Sequence, residues 1–359
     1  MRVLMVTPRR EANAIGGREQ LSALHERCLV GLLGTDLTVR RLDPAPPTGP
    51  RAILGALDGR IDGVTVASEQ AIANELGSGK FDALWLDGSN LGRLARIAKR
   101  ARPQLETITF CHNVEARFFL GGLRHRPGPR ALAVLAANFA AERLAVRHSD
   151  RLVALSERDS ALLRRLYGRA ASDLLPMAID DAGAAADRGA APGDGLLFVG
   201  GAFYANLAGM RWFAGKVAPR LAMRTKVVGR GFEAYRDELE ASGTIDVIGG
   251  VADLAPWYAA ARTVIAPIFD GSGMKTKVAE ALMHGKPIIG TREAFSGYEA
   301  VAGQAGWRAD TPTEWRQAIA ALDAAPRCGF DPALRALFNA HFSVAAATAR
   351  IAEILGFAR

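Results

Sequence analysis

PIFDGSGMKTKVAEALMHGKPIIG, residues Pro267 to Gly290, is the stretch from which the rest of this chain can be read. An apolar strand, Thr263 to Ala266, runs into a Gly271-Ser272-Gly273 turn, a helix follows and stops at Gly285, and a buried strand begins at Pro287. At the angular step of an α-helix, Met274, Val278, Ala281 and Leu282 share one face and belong to the core. Thr276, Lys277, Glu280 and His284 share the other, which is expected to be open to a ligand. Glycines around Ser272 let backbone N–H groups approach an anion, the helix start adds partial positive charge, and Lys275 and Lys277 add full charges. Such a loop suits a diphosphate. Glu280, one turn on, suits two neighbouring hydroxyls such as those of a ribose, and its removal is expected to leave stability almost untouched. The ordinary reading is a glycine turn with Ser272 as N-cap and a Lys277–Glu280 surface pair, and the stretch alone leaves both open.

Apolar runs alternate with amphipathic stretches on either side. Strands are expected at Arg2 to Thr7, Leu37 to Leu42, Ala83 to Leu86, Thr107 to Cys111 and Arg151 to Leu155. A second series is expected at Leu196 to Val199, Thr225 to Val228, Asp246 to Ile248, Thr263 to Ala266 and Pro287 to Gly290. That pattern predicts two parallel, doubly wound α/β sheets. Asp181 to Gly195, small, polar and without periodicity, reads as an exposed loop. The candidate motifs fall at strand ends: Gly16-Gly17 after the first, Asp87 after the third, His112 after the fourth and Gly271 to Gly273 after the ninth. A lone His is more often structural than a ligand, and Asn113 and Glu115 also suit the start of the next helix. Gly229-Arg230-Gly231-Phe232-Glu233-Ala234 fits a dinucleotide fingerprint, but it follows the second strand of its series and Asp246 is badly placed as its acidic partner, so a dehydrogenase is rejected.

In this order the motifs resemble glycosyltransferase family 4 and its relatives of the GT-B fold. The carrying residues are the glycine loop with Lys277, Glu280-Ala281-Leu282 and Gly285-Lys286-Pro287, then Phe110 to Glu115 (FCHNVE), Asp150 to Ser156 (DRLVALS), Leu175 to Asp180, Phe198 to Gly201 and Val227 to Gly231. The resemblance implies two Rossmann-like domains facing a central cleft. Residues 1–178 would bind the acceptor and 179–341 the nucleotide-sugar donor, with 342–359 forming a helix that crosses back to the first domain. It implies a donor site of Gly271, Ser272, Gly273, Met274 and Glu280, with Gly200, Gly201, Gly229 and Val251 at neighbouring strand ends and Gly16 and Gly17 from the first domain. Lys277 and Lys275 would stabilise the leaving diphosphate and His112 would contact the donor sugar. The chain departs from the family where members often carry Arg, at Gly201, and a Lys shortly after, and Ser272 stands where many have Glu.

The expected enzyme is therefore a glycosyltransferase using a UDP or GDP sugar, with no other cofactor and no metal, since no paired Asp motif lies near the loop. The acceptor is expected to be a saccharide or a lipid-linked molecule of bacterial polysaccharide or glycoconjugate synthesis. Retention of configuration is expected, with Asp87 or Glu115 as the base if the reaction inverts. The alternatives are a non-catalytic sugar-nucleotide-binding subunit and a GT-B epimerase acting on the donor itself.

Composition fits this picture without identifying it. With 359 residues, 49% hydrophobic and 23% charged, the chain can bury two ordinary cores. Its apolar runs are shorter than the ~20 residues that span a bilayer, and three scattered cysteines suit a reducing compartment, so a cytoplasmic protein is expected. Met1 to Asp180 carries net +7 and the remainder +1 of the chain's +8. Clusters at Arg93 to Arg102, Arg124 to Arg130 and Arg164 to Arg169 make an anionic membrane surface a candidate partner, with solvated helix faces as the ordinary reading. Nucleic acid is not expected, because no recognition motif or stacking aromatic set is present.

Overall fold

Strands buried on both faces read as short, continuous apolar runs, and here each such run enters a parallel sheet covered by helices. The computed structural model describes residues 1–9, 17–44, 49–125, 127–183, 193–271 and 273–357. The first series is β1 (Val3–Pro8), β2 (Leu37–Leu42), β3 (Ala83–Asp87), β4 (Glu106–Cys111), β5 (Arg151–Ala154) and β6 (Asp173–Leu174). The second is β7 (Gly195–Val199), β8 (Thr225–Val228), β9 (Ile245–Gly249), β10 (Ala261–Ala266), β11 (Ile288–Gly290) and β12 (Gly306–Arg308). All ten expected strands form; β6, of two residues, and β12, of three with only Trp307 apolar, were not foreseen.

Each series makes one parallel sheet, ordered β2-β1-β3-β4-β5-β6 and β12-β11-β10-β7-β8-β9. The chain divides into two compact units, Met1–Met177 with Ala347–Arg359, and Ala178–Ala346. Phe342 and Ser343, expected to begin the returning segment, stay with the second unit. The Ile179 amide donates to the Phe342 carbonyl at 3.0 Å, Ile179 bridges Ser343, and the Phe342 ring lies 4.9 Å from that of Tyr298. In each sheet the strand order reverses once, between β1 and β3 and between β7 and β10, and α/β folds bind ligands beyond the carboxyl ends of strands at such a reversal.

The sequence 229–234 has a packing role that explains its glycines. Gly200 and Gly229 end the adjacent strands β7 and β8, and a Cβ on Gly229 would fall 1.9 Å from the Gly200 carbonyl oxygen. A 3₁₀ turn, Phe232–Tyr235, and a five-residue helix, Arg236–Glu240, follow, not the long helix that a dinucleotide motif opens.

The basic residues between 93 and 102 are largely consumed inside the first unit, contrary to a lipid-facing patch. Arg93 is buried and binds Glu69 at 2.6 Å, Lys99 binds Asp150 at 2.5 Å, and Arg102 donates to the Phe81 carbonyl at 2.7 Å. A guanidinium has five donors to satisfy, which is why helix-face arginines beside acids become internal pins. Among the described residues no helix is long and apolar enough to cross a membrane.

Helix Tyr204–Lys216 packs against the chain leaving β10, through Gly209. A Cβ there would fall 1.8 Å from the Pro267 carbonyl oxygen, whereas Gly215 on the same helix has nothing within 4 Å. Gly→Ala in a helix ordinarily stabilises by roughly 0.5–1 kcal/mol. Gly215→Ala is therefore expected to raise the melting temperature slightly and Gly209→Ala to lower it by several degrees, as thermal unfolding followed by circular dichroism would show.

Candidate functional site

In the second unit the glycine loop with its helix and the Gly200-Gly201 turn, both candidate elements of the sequence, meet at the β7/β10 reversal. β10 continues through Gly271 (φ +130°) and Gly273 (φ +64°) into helix Thr276–Met283, whose N-cap is Lys275 and not Ser272. Ser272 and Gly16 lie outside the described residues. No side chain caps this helix start among the described residues, and Gly285 ends the helix at φ +59°.

The expected polar face of that helix is not open to solvent. Lys277 and His284 are buried and Glu280 is half-buried, because the helix is covered on this side by the β7 end and by Tyr258. Lys277 Nζ lies 5.4 Å from the centre of the Phe198 ring and donates to Asn206 Oδ1 at 3.2 Å. Asn206 Nδ2 in turn donates to the Gly201 carbonyl at 2.8 Å, and a Cβ on Gly200 would fall 3.6 Å from Lys277 Nζ. The lysine charge thus stands beside the Gly200-Gly201 turn. Burial lowers the Lys277 pKa to about 8, against the pull of Glu280 upward and with that of Lys275 downward.

Lys286, nine residues on, makes an informative contrast. It too is buried and lowered to about 8 by burial, but its ammonium donates to three carbonyls, those of Ala259, Ala261 and Gly329. All three of its protons are used, so it is a structural pin. Lys277 makes one hydrogen bond among the described residues, which leaves two of its three donors unassigned there. Lys275 is held otherwise, donating to the Gly273 carbonyl at 3.0 Å and pairing with Glu293 at 2.9 Å.

Glu280 accepts from the Tyr258 hydroxyl at 2.8 Å, and Tyr258 stacks on His284 with ring centres 4.3 Å apart. Burial, followed by the charges of Arg335 and Lys286, lowers His284 to about 4. Met274 is buried, and a Cβ on Gly297 would run into its side chain. Val251 follows β9 and is half-buried.

In the first unit, His112 and Asp87 come together beyond β3 and β4. His112 Nε2 is 2.9 Å from Asp87 Oδ1 and 3.2 Å from Ser22 Oγ, and Asp87 Oδ2 accepts from Thr7 Oγ1 at 2.6 Å. Burial alone would push the Asp87 carboxyl up, but the His112 ring, Thr7 and Ser22 hold it well below the usual range. His112 Nδ1 is buried without a hydrogen-bond partner among the described residues. Gly17 opens helix Gly17–Leu33 and is exposed. Glu115 opens helix Glu115–His125 but does not cap it; that task falls to Glu142, which accepts from the amides of Glu115 and Ala116 at 2.9 and 3.2 Å. Burial raises Glu115 to about 7, with Arg18 opposing and Glu142 and Asp62 adding to the shift. Thr7, Ser22, Asn206, Tyr258 and Glu293 were not foreseen. The available signal for Thr7 and Asn206 was a lone polar residue in an otherwise apolar strand or helix face.

Two family models match the chain: a glycosyl transferase 4-like domain over residues 1–177, and glycosyl transferases group 1 over residues 193–324. No curated protein matches it. Among solved structures, Anabaena HepE in complex with UDP is similar at 15% identity and a TM-score of 0.66, over 99% of this chain and 100% of that one. The apo form of the lipopolysaccharide outer core galactosyltransferase WaaB is similar at 11% identity and 0.63, over 99% and 100%. A UDP-forming α,α-trehalose-phosphate synthase from Burkholderia vietnamiensis gives 12% and 0.62, over 99% and 100%. At these identities the likeness is one of fold.

The Tyr258 contact revises the expectation that Glu280 has no bearing on stability. Glu280→Ala leaves a buried hydroxyl without its acceptor, at a cost of ~1–3 kcal/mol. The free protein should lose several degrees of melting temperature, and adding Tyr258→Phe should restore part of the loss; an unchanged melting temperature in Glu280→Ala would show that the contact contributes nothing.

Proposed function

Since the chain belongs to the group 1 glycosyltransferases, with a glycosyltransferase 4-like first half and the two-domain α/β GT-B fold, it is a glycosyltransferase, and we propose that it moves a sugar from a nucleoside diphosphate donor to a saccharide or lipid-linked acceptor. We assign it to bacterial polysaccharide or glycoconjugate synthesis, without a metal and with retention of configuration. The carrying observation is Lys277, a buried ammonium with donors to spare, beside the Gly200-Gly201 turn. As the glycosidic bond breaks, charge builds on the diphosphate, and a fixed cation in a dry site stabilises it more in the transition state than in the ground state. The start of helix Thr276–Met283, which no side chain caps among the described residues, adds to this, and Glu280 one turn along would accept from the ribose. HepE was solved with UDP-glucose, which supports a uridine nucleotide as the first donor to try. Retention fits the engagement of Asp87 by His112 and Thr7. An inverting reaction would instead call on Glu115, and the anomeric configuration of the product decides between them.

Binding of a diphosphate raises the pKa of a neighbouring ammonium, so affinity is complete below the Lys277 pKa of the free protein, about 8, and declines above it. UDP affinity measured calorimetrically should fall about tenfold between pH 7 and pH 9. Lys277→Arg should flatten that dependence because a guanidinium stays charged, and Lys277→Ala should reduce turnover by ~100-fold or more. Normal turnover in Lys277→Ala, or a flat pH profile in the parent, would remove Lys277 from the site.

We further propose that the enzyme works at an anionic membrane surface through exposed arginines of the first unit, Arg143 and Arg147 on helix Pro129–His148 and Arg164 and Arg165 on helix Glu157–Tyr167. Each contributes ~1 kcal/mol near such a surface. Co-sedimentation with phosphatidylglycerol vesicles is expected at low salt and should be lost as salt rises or on Arg143→Gln/Arg147→Gln; salt-indifferent binding, or none, would dismiss the partner.

A further inference from the structure

The Tyr258 hydroxyl is the one donor that meets the Glu280 carboxyl among the described residues, at 2.8 Å from Oε2. Lys277, three residues earlier on the same face of helix Thr276–Met283, turns instead to Asn206. Tyr258 stands on helix Ala255–Ala260, which leads directly into β10, so the two partners come from the elements before and after that strand. Tyr258 is only 1% exposed, whereas Glu280 is half-buried. A ligand can touch the carboxyl, but not the phenol. The phenol ring is clamped as well, lying on the His284 imidazole with centres 4.3 Å apart and planes 8° from parallel. Burial, with the charges of Arg335 and Lys286, lowers His284 to about 4, so the imidazole is neutral at neutral pH. Burial and then the Glu280 charge push the Tyr258 phenol well up, so the hydroxyl keeps its proton and donates.

A glutamate side chain turns about several bonds, and ordering them only when a ligand arrives subtracts from affinity. The bond to Tyr258 orders them in the free protein. A carboxylate offers about four lone-pair sites, of which the hydroxyl occupies one on Oε2, so the others remain for two neighbouring hydroxyls. We propose that Tyr258 is a positioning residue for the nucleotide: resting on the donor reading above, it holds the Glu280 carboxylate in the orientation that accepts from the two ribose hydroxyls, and so makes the site select ribonucleotides over deoxyribonucleotides. It acts only through Glu280. A phenol that merely satisfied its own burial would affect folding without telling one ligand sugar from another. Discrimination follows because a site arranged for a hydroxyl leaves its acceptor unpaired when the analogue lacks that hydroxyl.

Calorimetric titration of the full chain with UDP and GDP, and with the 2′,3′-dideoxy form of whichever binds, tests this role. The parent should bind the ribonucleotide about tenfold or more tightly than its dideoxy form. Tyr258→Phe keeps the ring and its stack on His284 and removes only the hydroxyl. It should weaken the ribonucleotide about three- to tenfold and leave the dideoxy form as in the parent. In a Glu280→Ala background the hydroxyl has no carboxyl to orient, and adding Tyr258→Phe should change neither affinity. The double variant strands neither a buried hydroxyl nor an acid, so this comparison serves even if Tyr258→Phe alone is unstable. The proposal is overturned if Tyr258→Phe weakens both ligands alike, if it weakens neither, or if its effect persists without Glu280. A parent that binds the ribo and dideoxy forms equally overturns it too, while the diphosphate part of the donor reading stands. A parent that binds neither UDP nor GDP overturns the donor reading itself, and the proposal with it.

Discussion

Holding an ammonium inside a protein is costly, and the second unit is organised around that cost at Lys277. An isolated buried charge is unfavourable unless partners or a shifted pKa relieve it. Here a single carboxamide, an aromatic face and a lowered pKa relieve it only in part. The close packing nearby keeps it in place: Gly229 against the Gly200 carbonyl and Gly209 against that of Pro267 leave the strand ends no room to spread. The end of β7 and the chain leaving β10 are therefore closely packed around the lysine.

Much of this architecture was legible in the chain because parallel strands buried on both faces announce themselves as apolar runs. Ten of the twelve strands were placed within two residues of their ends. The glycine turn, Lys277, Glu280 and the strand-end position of His112 were readable as well, since each sits at a fixed offset from a strand. Burial of the polar stripe was not. Helical periodicity separates two faces, but it does not say that β7 and Tyr258 will cover the second one. Nor does it separate Lys277 from Lys286, two lysines in one short segment with the same lowered pKa, since the difference lies in three carbonyls contributed by distant turns.

The arginine-rich stretches mark the limit of composition as evidence. A run of like charges reads as surface until its acids are located, and Glu69, Asp58 and Asp150 come from parts of the chain that no local window joins to residues 93–102.

Glu142 has a bearing on folding as well. Its carboxylate accepts from Ser89, from the amides of Glu115 and Ala116, and from the Tyr167 hydroxyl, at 2.9, 2.9, 3.2 and 2.7 Å. Opening any one of these segments alone strips donors from a buried acid and strands it in the interior. Local fluctuations there are therefore coupled, and the turn after β3, the start of helix Glu115–His125 and the end of helix Glu157–Tyr167 should exchange their amide hydrogens as one cooperative unit.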